Sequence, residues 1–309
     1  MRRVLALHGV GSSGTILRDQ LTPLVRALDP NYEFVYLDGA IETQRGPGMA
    51  PYYPGPFYSY TTGYSPKEIR DALDDLDDFI QENGPFDGII GFSQGASMAA
   101  AYLLDLYARL PDERPPFGFA VFLSLVAAFS PDDMQCLPIA ERLVSSDYAA
   151  VKAFPDEIPT QLPLADGIFV GYLATTFRAA RKIGAVLPEY DIDFFKDRET
   201  KKVPRVMHPF LTEDRIKIPT VHVTGKTDLP AMIEQSQVVS ALCDQSITLI
   251  QQHEGGHAAP AKKADVDRLV DTLEWAILES ANQSALQAVT IKIPTKRFLG
   301  VNSTVASRI

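Results

Sequence analysis

Short apolar runs alternate with amphipathic segments along most of this chain. The runs predict strands at residues 3–7, 34–37, 87–90, 117–125, 220–224 and 247–250. Apolar residues at helical spacing predict helices at about 15–28, 66–83, 167–186, 231–242 and 262–280, and an alanine-rich helix directly after residue 93. Strands that are apolar almost throughout are typical of a parallel sheet covered on both faces. The pattern therefore predicts an α/β fold with a mostly parallel sheet flanked by helices.

Two segments interrupt this alternation. Residues 38–64 combine several prolines with many aromatic residues, which excludes a regular helix or an interior strand. These aromatic side chains either pack the loop on itself or form the wall of an apolar substrate pocket. Residues 127–218 are far longer than a plain crossover, and we expect them to form an inserted helical cap over the site. The alternative is a set of surface helices that stabilises the edge of the sheet.

The helix predicted at 167–186 supplies the apolar face of this cap. Its members at helical spacing are Phe169, Tyr172, Leu173, Thr176, Phe177, Ala180 and Ile183. The predicted division is then a core of residues 1–126 and 219–281, a cap of residues 127–218 and a C-terminal tail of residues 282–309. Within the tail, residues 289–293 form either an added edge strand or a disordered segment.

A glycine-flanked serine lies between a predicted strand and the alanine-rich helix. The segment Gly91-Phe92-Ser93-Gln94-Gly95 fits G-x-S-x-G, and the order strand, turn, helix is the context that a nucleophile elbow requires. By composition this pentapeptide also occurs by chance, so the motif needs partners elsewhere in the chain.

Candidate partners follow two later strands, in the order Ser93, Asp228, His257. This order is that of the α/β-hydrolase fold, and each residue follows a predicted strand, so all three can meet at one edge of the sheet. Ser93 would be the nucleophile, His257 the general base and Asp228 the group that orients the imidazole. Of the other histidines, His253 lies four residues before His257, but two intervening glycines oppose the helix that a metal-binding pair would need.

A glycine-rich turn, residues 8–14, follows the first strand. It lacks the Gly-Lys-Ser/Thr ending of a phosphate-binding loop and the frame of a dinucleotide fingerprint. We interpret it as an oxyanion-hole turn, with the backbone N–H groups of Val10 and Gln94 as donors. The alternative is an ordinary turn.

Charge and cysteine content narrow the partners and the compartment. The formal net charge is −10, which argues against nucleic acid and anionic membranes as partners. The two cysteines favour a reducing compartment, and no apolar run reaches the roughly 18 residues of a membrane span. The first strand begins almost at Met1 and leaves no room for a signal peptide, which predicts a cytoplasmic protein. The ending Ser307-Arg308-Ile309 is similar to the peroxisomal Ser-Lys-Leu signal, or has no targeting role.

Several of these motifs together resemble a family of serine hydrolases found in fungi and other eukaryotes, the FSH-type α/β-hydrolases, which includes thioesterase-like enzymes of polyketide pathways. The matching segments are Leu7-His8-Gly9, Tyr53-Pro54-Gly55-Pro56, the run from Gly84 to Gly95, Gly225-Lys226-Thr227-Asp228, and Gly255-Gly256-His257 with Pro260. The resemblance implies hydrolysis of esters or thioesters of apolar acyl groups without a metal or an organic cofactor. Residues 127–218 look longer than the usual connection in this family.

We expect the substrate to carry a medium or long apolar acyl chain, as an ester or as a carrier-bound thioester. A cluster of basic residues could bind the phosphate of a carrier arm or of coenzyme A: Arg178, Arg181, Lys182, Lys201 and Lys202. Two alternatives remain, a carboxylesterase of small esters and a non-catalytic ligand-binding protein on the same fold. The sequence leaves the oligomeric state open.

Overall fold

A computed structural model of the protein describes residues 1–111, 113–145, 151, 153–187 and 190–291. In chain order its strands and α-helices are β1 (Arg2–Leu7), α1 (Gly14–Ala27), β2 (Tyr32–Leu37), β3 (Ile41–Thr43), β4 (Phe57–Ser59), α2 (Pro66–Asn83), β5 (Gly88–Phe92), α3 (Gln94–Arg109), β6 (Phe119–Leu123), α4 (Leu137–Ser145), α5 (Leu164–Ile183), β7 (Thr220–Gly225), α6 (Pro230–Ser240), β8 (Thr248–His253) and α7 (Lys263–Ile291). Short 3₁₀ turns lie at Thr200–Lys202 and Gln245–Ile247.

Six strands form one parallel sheet in the order β2-β1-β5-β6-β7-β8. Helices α1 and α7 pack on one face, where Leu17 and Leu269 meet the side chains of β1, β5, β6 and β7. Helices α2 and α3 pack on the other face. This arrangement is the α/β-hydrolase fold, which confirms the predicted fold class.

The polar ends of α2 agree with the sequence prediction. Ser65 caps the helix by accepting a hydrogen bond from the backbone N–H of Glu68, and the Glu68 carboxylate accepts one from the N–H of Ser65 in return. Such a reciprocal cap satisfies two N–H groups that would otherwise lack partners. The acidic run at residues 74–78 lies along this helix, as a mostly exposed face.

Three predicted boundaries were wrong. Strand β8 continues to His253, which is therefore a strand residue and not part of the following loop. Helix α5 ends at Ile183, because Gly184 takes a left-handed conformation with φ 75°, so Val186 lies outside it. Helix α7 continues to Ile291, which excludes the edge strand considered for residues 289–291. Residues 292–309, including the targeting tripeptide, lie outside the described residues, and the peroxisomal assignment stays a prediction.

The two irregular segments contain little regular structure. In the proline-rich loop, β3 and β4 pair as an antiparallel hairpin separate from the main sheet, in agreement with the exclusion of an interior strand. Between β6 and β7, helices α4 and α5 bury their apolar residues in the same core cluster as α2 and α3. The treatment of residues 127–218 as an inserted cap remains a prediction. In the described part of the chain, no helix has the length and hydropathy of a membrane span.

Candidate active site

Ser93 occupies the turn between β5 and α3. Its backbone has φ 53° and ψ −116°, a region that L-residues rarely adopt, and its N–H donates to the carbonyl of Leu123 at 2.9 Å. Such a conformation costs about 1–3 kcal/mol and persists only where the surrounding structure enforces it. The strand, the strained serine and the helix confirm the local conformation predicted for the elbow.

The two glycines of the motif are required by close approach. A Cβ atom at Gly91 would lie 2.5 Å from the backbone nitrogen of Ala96, and one at Gly95 would lie 2.3 Å from the carbonyl oxygen of Leu7. Both distances are far shorter than any non-bonded contact, so only glycine lets α3 begin so close to the ends of β5 and β1. The start of α3 therefore lies directly beside the turn that follows β1.

The side chains of Ser93, His257 and Asp228 form one chain of hydrogen bonds. The Oγ of Ser93 lies 2.9 Å from Nε2 of His257, and Nδ1 of His257 lies 2.8 Å from Oδ2 of Asp228. A carboxylate can only accept, so Nδ1 carries the proton and donates it to Asp228. Nε2 is then free to accept the hydroxyl proton of Ser93, which is the arrangement that a general base needs.

Two connected loops hold Asp228 and His257 in place. Asp228 follows β7 and His257 follows β8, and the loops are joined by hydrogen bonds from the N–H of Lys226 to the carbonyl of His253 (2.9 Å) and from the N–H of Thr227 to that of Gly255 (3.0 Å). The Asp228 side chain is only 2% exposed, and its Oδ1 accepts a second hydrogen bond from the N–H of Leu229 at 2.7 Å. The carboxylate thus has a fixed orientation behind the imidazole.

The glycine-rich turn after β1 lies against the other side of the site. It is anchored to the proline-rich loop, since Gly11 donates to the carbonyl of Tyr58 at 2.9 Å and accepts from the N–H of Gly46 at 2.7 Å. Val10 and Gln94 line the same cavity as Ser93. The N–H of Gln94 is among the first of α3, which have no acceptor within their own helix.

A cavity of about 400 Å³ opens at Ser93 and His257. Most of its lining is apolar, and the side chains farthest from the sequence motif come from five different segments: Tyr64, Ile69, Met98, Ala101, Phe129 and Phe177. Three polar residues, Ser12, Gln20 and Gln235, also contribute to the wall. The arrangement couples a nucleophile and base to a space suited to a carbon chain.

Comparison with known proteins gives the family. The model of the serine hydrolase family FSH1 matches residues 1–269. The chain belongs to this family of serine hydrolases. It is 40% identical over 283 residues to the esterase alnB of Emericella nidulans, covering 92% of this chain and 99% of alnB. It is 30% identical over 241 residues to the serine hydrolase cnsH of Penicillium expansum, covering 78% of this chain and 98% of cnsH.

The other histidines of this serine hydrolase are all engaged elsewhere. Burial lowers the pKa of His222 to about 3, and burial also lowers the pKa values of His8, His208 and His253. His253, the competitor considered for a metal pair, accepts a hydrogen bond on Nδ1 from the N–H of Gly255. Within the described residues, no group of His, Cys, Asp and Glu side chains could hold a metal ion.

Two sequence-based expectations about the lining need correction. Of the apolar face assigned to α5, only Thr176, Phe177, Ala180 and Ile183 reach the cavity wall. Phe169 is 0% exposed within the core, and Tyr172 packs against His208. The C-terminal half of α5 therefore covers the cavity, and its N-terminal half is structural.

The expected basic cluster is largely neutralised by carboxylates. Arg181 pairs with Asp156, and Lys201 and Lys202 both pair with Glu199, at 2.9 Å and 3.3 Å. Three of the five cations thus already have anionic partners. This reduces the support for a phosphate-binding patch at these positions.

The sequence reasoning missed the lining residues on α3 and α6. Met98 and Ala101 follow Gln94 at helical spacing, and this spacing places all three on one face of α3. It was the available signal for these two. For Met232 and Gln235 on α6 no local signal exists, because only the packing of α6 against the cavity selects them.

Proposed function

We propose that this serine hydrolase cleaves esters or thioesters of an apolar acyl chain, with Ser93 as nucleophile, His257 as general base and Asp228 as its orienting partner. The observation that carries the proposal is the hydrogen-bonded chain from Ser93 through His257 to Asp228, which opens on an apolar cavity. Nucleophile, base and orienting carboxylate at such distances are the signature of activated-serine chemistry.

The reaction would proceed in two halves. Ser93 Oγ attacks the carbonyl carbon while its proton passes to Nε2 of His257, and the N–H groups of Val10 and Gln94 hold the resulting oxyanion. When the tetrahedral intermediate collapses, the bond to the alcohol or thiol breaks, and this leaving group takes the proton from His257. A water molecule then attacks the acyl-enzyme in the same manner, giving a carboxylic acid and free Ser93.

The substrate class follows from the wall of the cavity. Each methylene buried there contributes about 0.8 kcal/mol, so a medium or long acyl chain would bind better than an acetyl group. The relative alnB is named an esterase, which supports ester substrates. Thioesters and oxyesters share the acyl-enzyme, so both belong to the proposal. The family resemblance extends the proposal to polyketide or fatty-acyl secondary metabolism.

A fluorophosphonate probe tests the proposal directly. It reacts only with a serine that a neighbouring base activates, and we expect a single adduct on Ser93, located by mass spectrometry of the digested protein. Ser93→Ala and His257→Ala should abolish labelling. Ser240→Ala is the matched control, because this buried serine lies on α6 and is hydrogen-bonded to the carbonyl of Gln237. Labelling that survives Ser93→Ala would contradict the proposal.

Chain length separates the two catalytic alternatives. The proposal predicts that kcat/KM for p-nitrophenyl esters rises by roughly fourfold for each added methylene from acetyl onward, the equivalent of about 0.8 kcal/mol, until the cavity is full. A preference for acetyl esters with no gain per methylene would favour the carboxylesterase of small esters. Absence of both labelling and hydrolysis would favour the non-catalytic alternative.

A further inference from the structure

Gln235 places a buried amide in the wall of the cavity. It lies on α6, one turn after Met232, and both side chains contribute to the lining. Its Oε1 accepts a hydrogen bond from the backbone N–H of Ala127 at 3.1 Å. Ala127 follows β6 and lines the same cavity, so Gln235 links α6 to the apolar part of the wall near Phe129.

The contact with Ala127 fixes the orientation of the amide. Exchange of the oxygen and nitrogen would set the NH₂ group against the N–H of Ala127, donor against donor, so the oxygen must face Ala127. The Nε2 group points away from that contact and finds no acceptor among the described residues, although Gln235 as a whole is only 2% exposed. Buried polar groups in proteins almost always have a partner, and one without a partner in a ligand cavity indicates a partner on the ligand.

We propose that Nε2 of Gln235 donates a hydrogen bond to an oxygen atom carried by the chain of the substrate. This inference rests on the proposed function and narrows it, because the preferred substrate then has a keto or hydroxyl oxygen on an otherwise apolar acyl chain. Gln235 is a specificity-determining residue in this account and takes no part in the proton transfers.

The inference predicts a sign opposite to that of a purely apolar pocket. Without a donor, a ketone oxygen entering the cavity loses its hydrogen bonds to water, and the oxygenated chain reacts more slowly than the saturated one. With Nε2 as donor, the ketone at the correct position is accepted and the otherwise unpaired amide is satisfied. Sites built to bind such a group discriminate strongly against the analogue that lacks it.

The test compares octanoyl-N-acetylcysteamine with its five oxo isomers, from 3-oxo to 7-oxo. For each isomer the measured quantity is the ratio of its kcat/KM to that of the octanoyl thioester. We expect at least one isomer to exceed the octanoyl thioester in the wild-type protein, and Gln235→Met to lower that ratio by about tenfold, the effect of one hydrogen bond. Intrinsic differences in reactivity between isomers cancel when the wild-type and variant ratios are compared.

The control variant is Gln237→Met, the same chemical change on an exposed residue of the same helix, and its ratios should equal those of the wild type. Gln235→Glu keeps an acceptor for Ala127 and serves if Gln235→Met fails to fold; its carboxylate cannot donate, so the ratio should fall as well. The inference is overturned if every oxo isomer is poorer than the octanoyl thioester in the wild type, or if the preference persists in Gln235→Met. Loss of all hydrolysis in the wild type would instead contradict the proposed function itself.

Discussion

The Oγ of Ser93 lies 2.9 Å from Nε2 of His257, although 164 residues separate the two in the sequence. The parallel sheet brings them together: Ser93 directly follows β5, His257 follows β8, and the carboxyl ends of both strands lie at the same edge. Strands β6 and β7 lie between them, and β7 leads to Asp228. One edge of the sheet therefore supplies all three side chains of the proposed triad.

Asp228→Asn should separate orientation from nucleophile activation. An amide nitrogen cannot accept from Nδ1 of His257 and favours the tautomer with the proton on Nε2, which then cannot take the proton of Ser93. We expect kcat to fall by about 10⁴-fold, as in other serine hydrolases with this change, with the fold preserved. Steady-state hydrolysis of a p-nitrophenyl ester, with thermal unfolding as the check on folding, measures both. A loss of less than about tenfold would mean that Asp228 does not orient His257.

Enlarging Ala180 should shorten the acyl chains that the enzyme accepts. Ala180 lies on the half of α5 that lines the cavity and is only half-buried, so Ala180→Phe can project into the free volume. We expect kcat/KM for long-chain esters to fall by roughly fourfold per methylene excluded, and that for acetyl esters to change little. The same proportional loss at every chain length would show that α5 does not bound the acyl site.

Phe169→Ala provides the contrast on the same helix. Phe169 is fully buried in the core and does not contribute to the described cavity wall. Its truncation should lower the free energy of unfolding by about 3–5 kcal/mol, the usual effect of removing a buried aromatic side chain. The order of preference among acyl chains should stay as in the wild type. A shifted chain-length preference with unchanged stability would reverse the roles assigned to the two halves of α5.

His222 should make the protein less stable in mild acid. Burial lowers its pKa from 6.5 to about 3, so the unfolded chain binds a proton below pH 6.5 that the folded chain does not bind until about pH 3. Its contribution is present above pH 6.5 and is lost as the pH falls through this interval. From pH 7.5 to 5 the expected loss is about 2 kcal/mol.

Urea unfolding of His222→Phe at the two pH values tests this. Phenylalanine keeps a ring beside Phe122 and cannot titrate. Its loss of stability between pH 7.5 and 5 should be smaller than that of the wild type by about 2 kcal/mol. An equal loss in the two proteins would show that His222 is not protonated differently on unfolding.

The sequence carried the fold and the candidate triad because both depend on local patterns. The elbow around Ser93 is written in consecutive residues, and the positions of Asp228 and His257 just after apolar strands mark the edge of the sheet at which they lie. Helix α2 was equally readable, since Ser65 and Glu68 form its cap within four residues.

The remaining features depend on packing between distant segments. The apolar face of α5 is continuous in sequence, and nothing local distinguishes Phe169, which meets the core, from Ala180, which meets the cavity. Gln235 shows no pattern at all, because its importance arises from Ala127, 108 residues earlier in the chain. The wrong end of α7 has a different cause: residues 282–291 have weak periodicity, and helices are least predictable at their ends.

Ester hydrolysis by Ser93→Ala tests the central claim most directly. Removal of one oxygen atom leaves the cavity, the donors at Val10 and Gln94 and the pair formed by His257 and Asp228 in place. The account predicts that kcat for a medium-chain p-nitrophenyl ester falls by at least about 10⁴-fold, with thermal unfolding unchanged to within a few degrees. Activity within about tenfold of the wild type would contradict the assignment of Ser93 as the nucleophile.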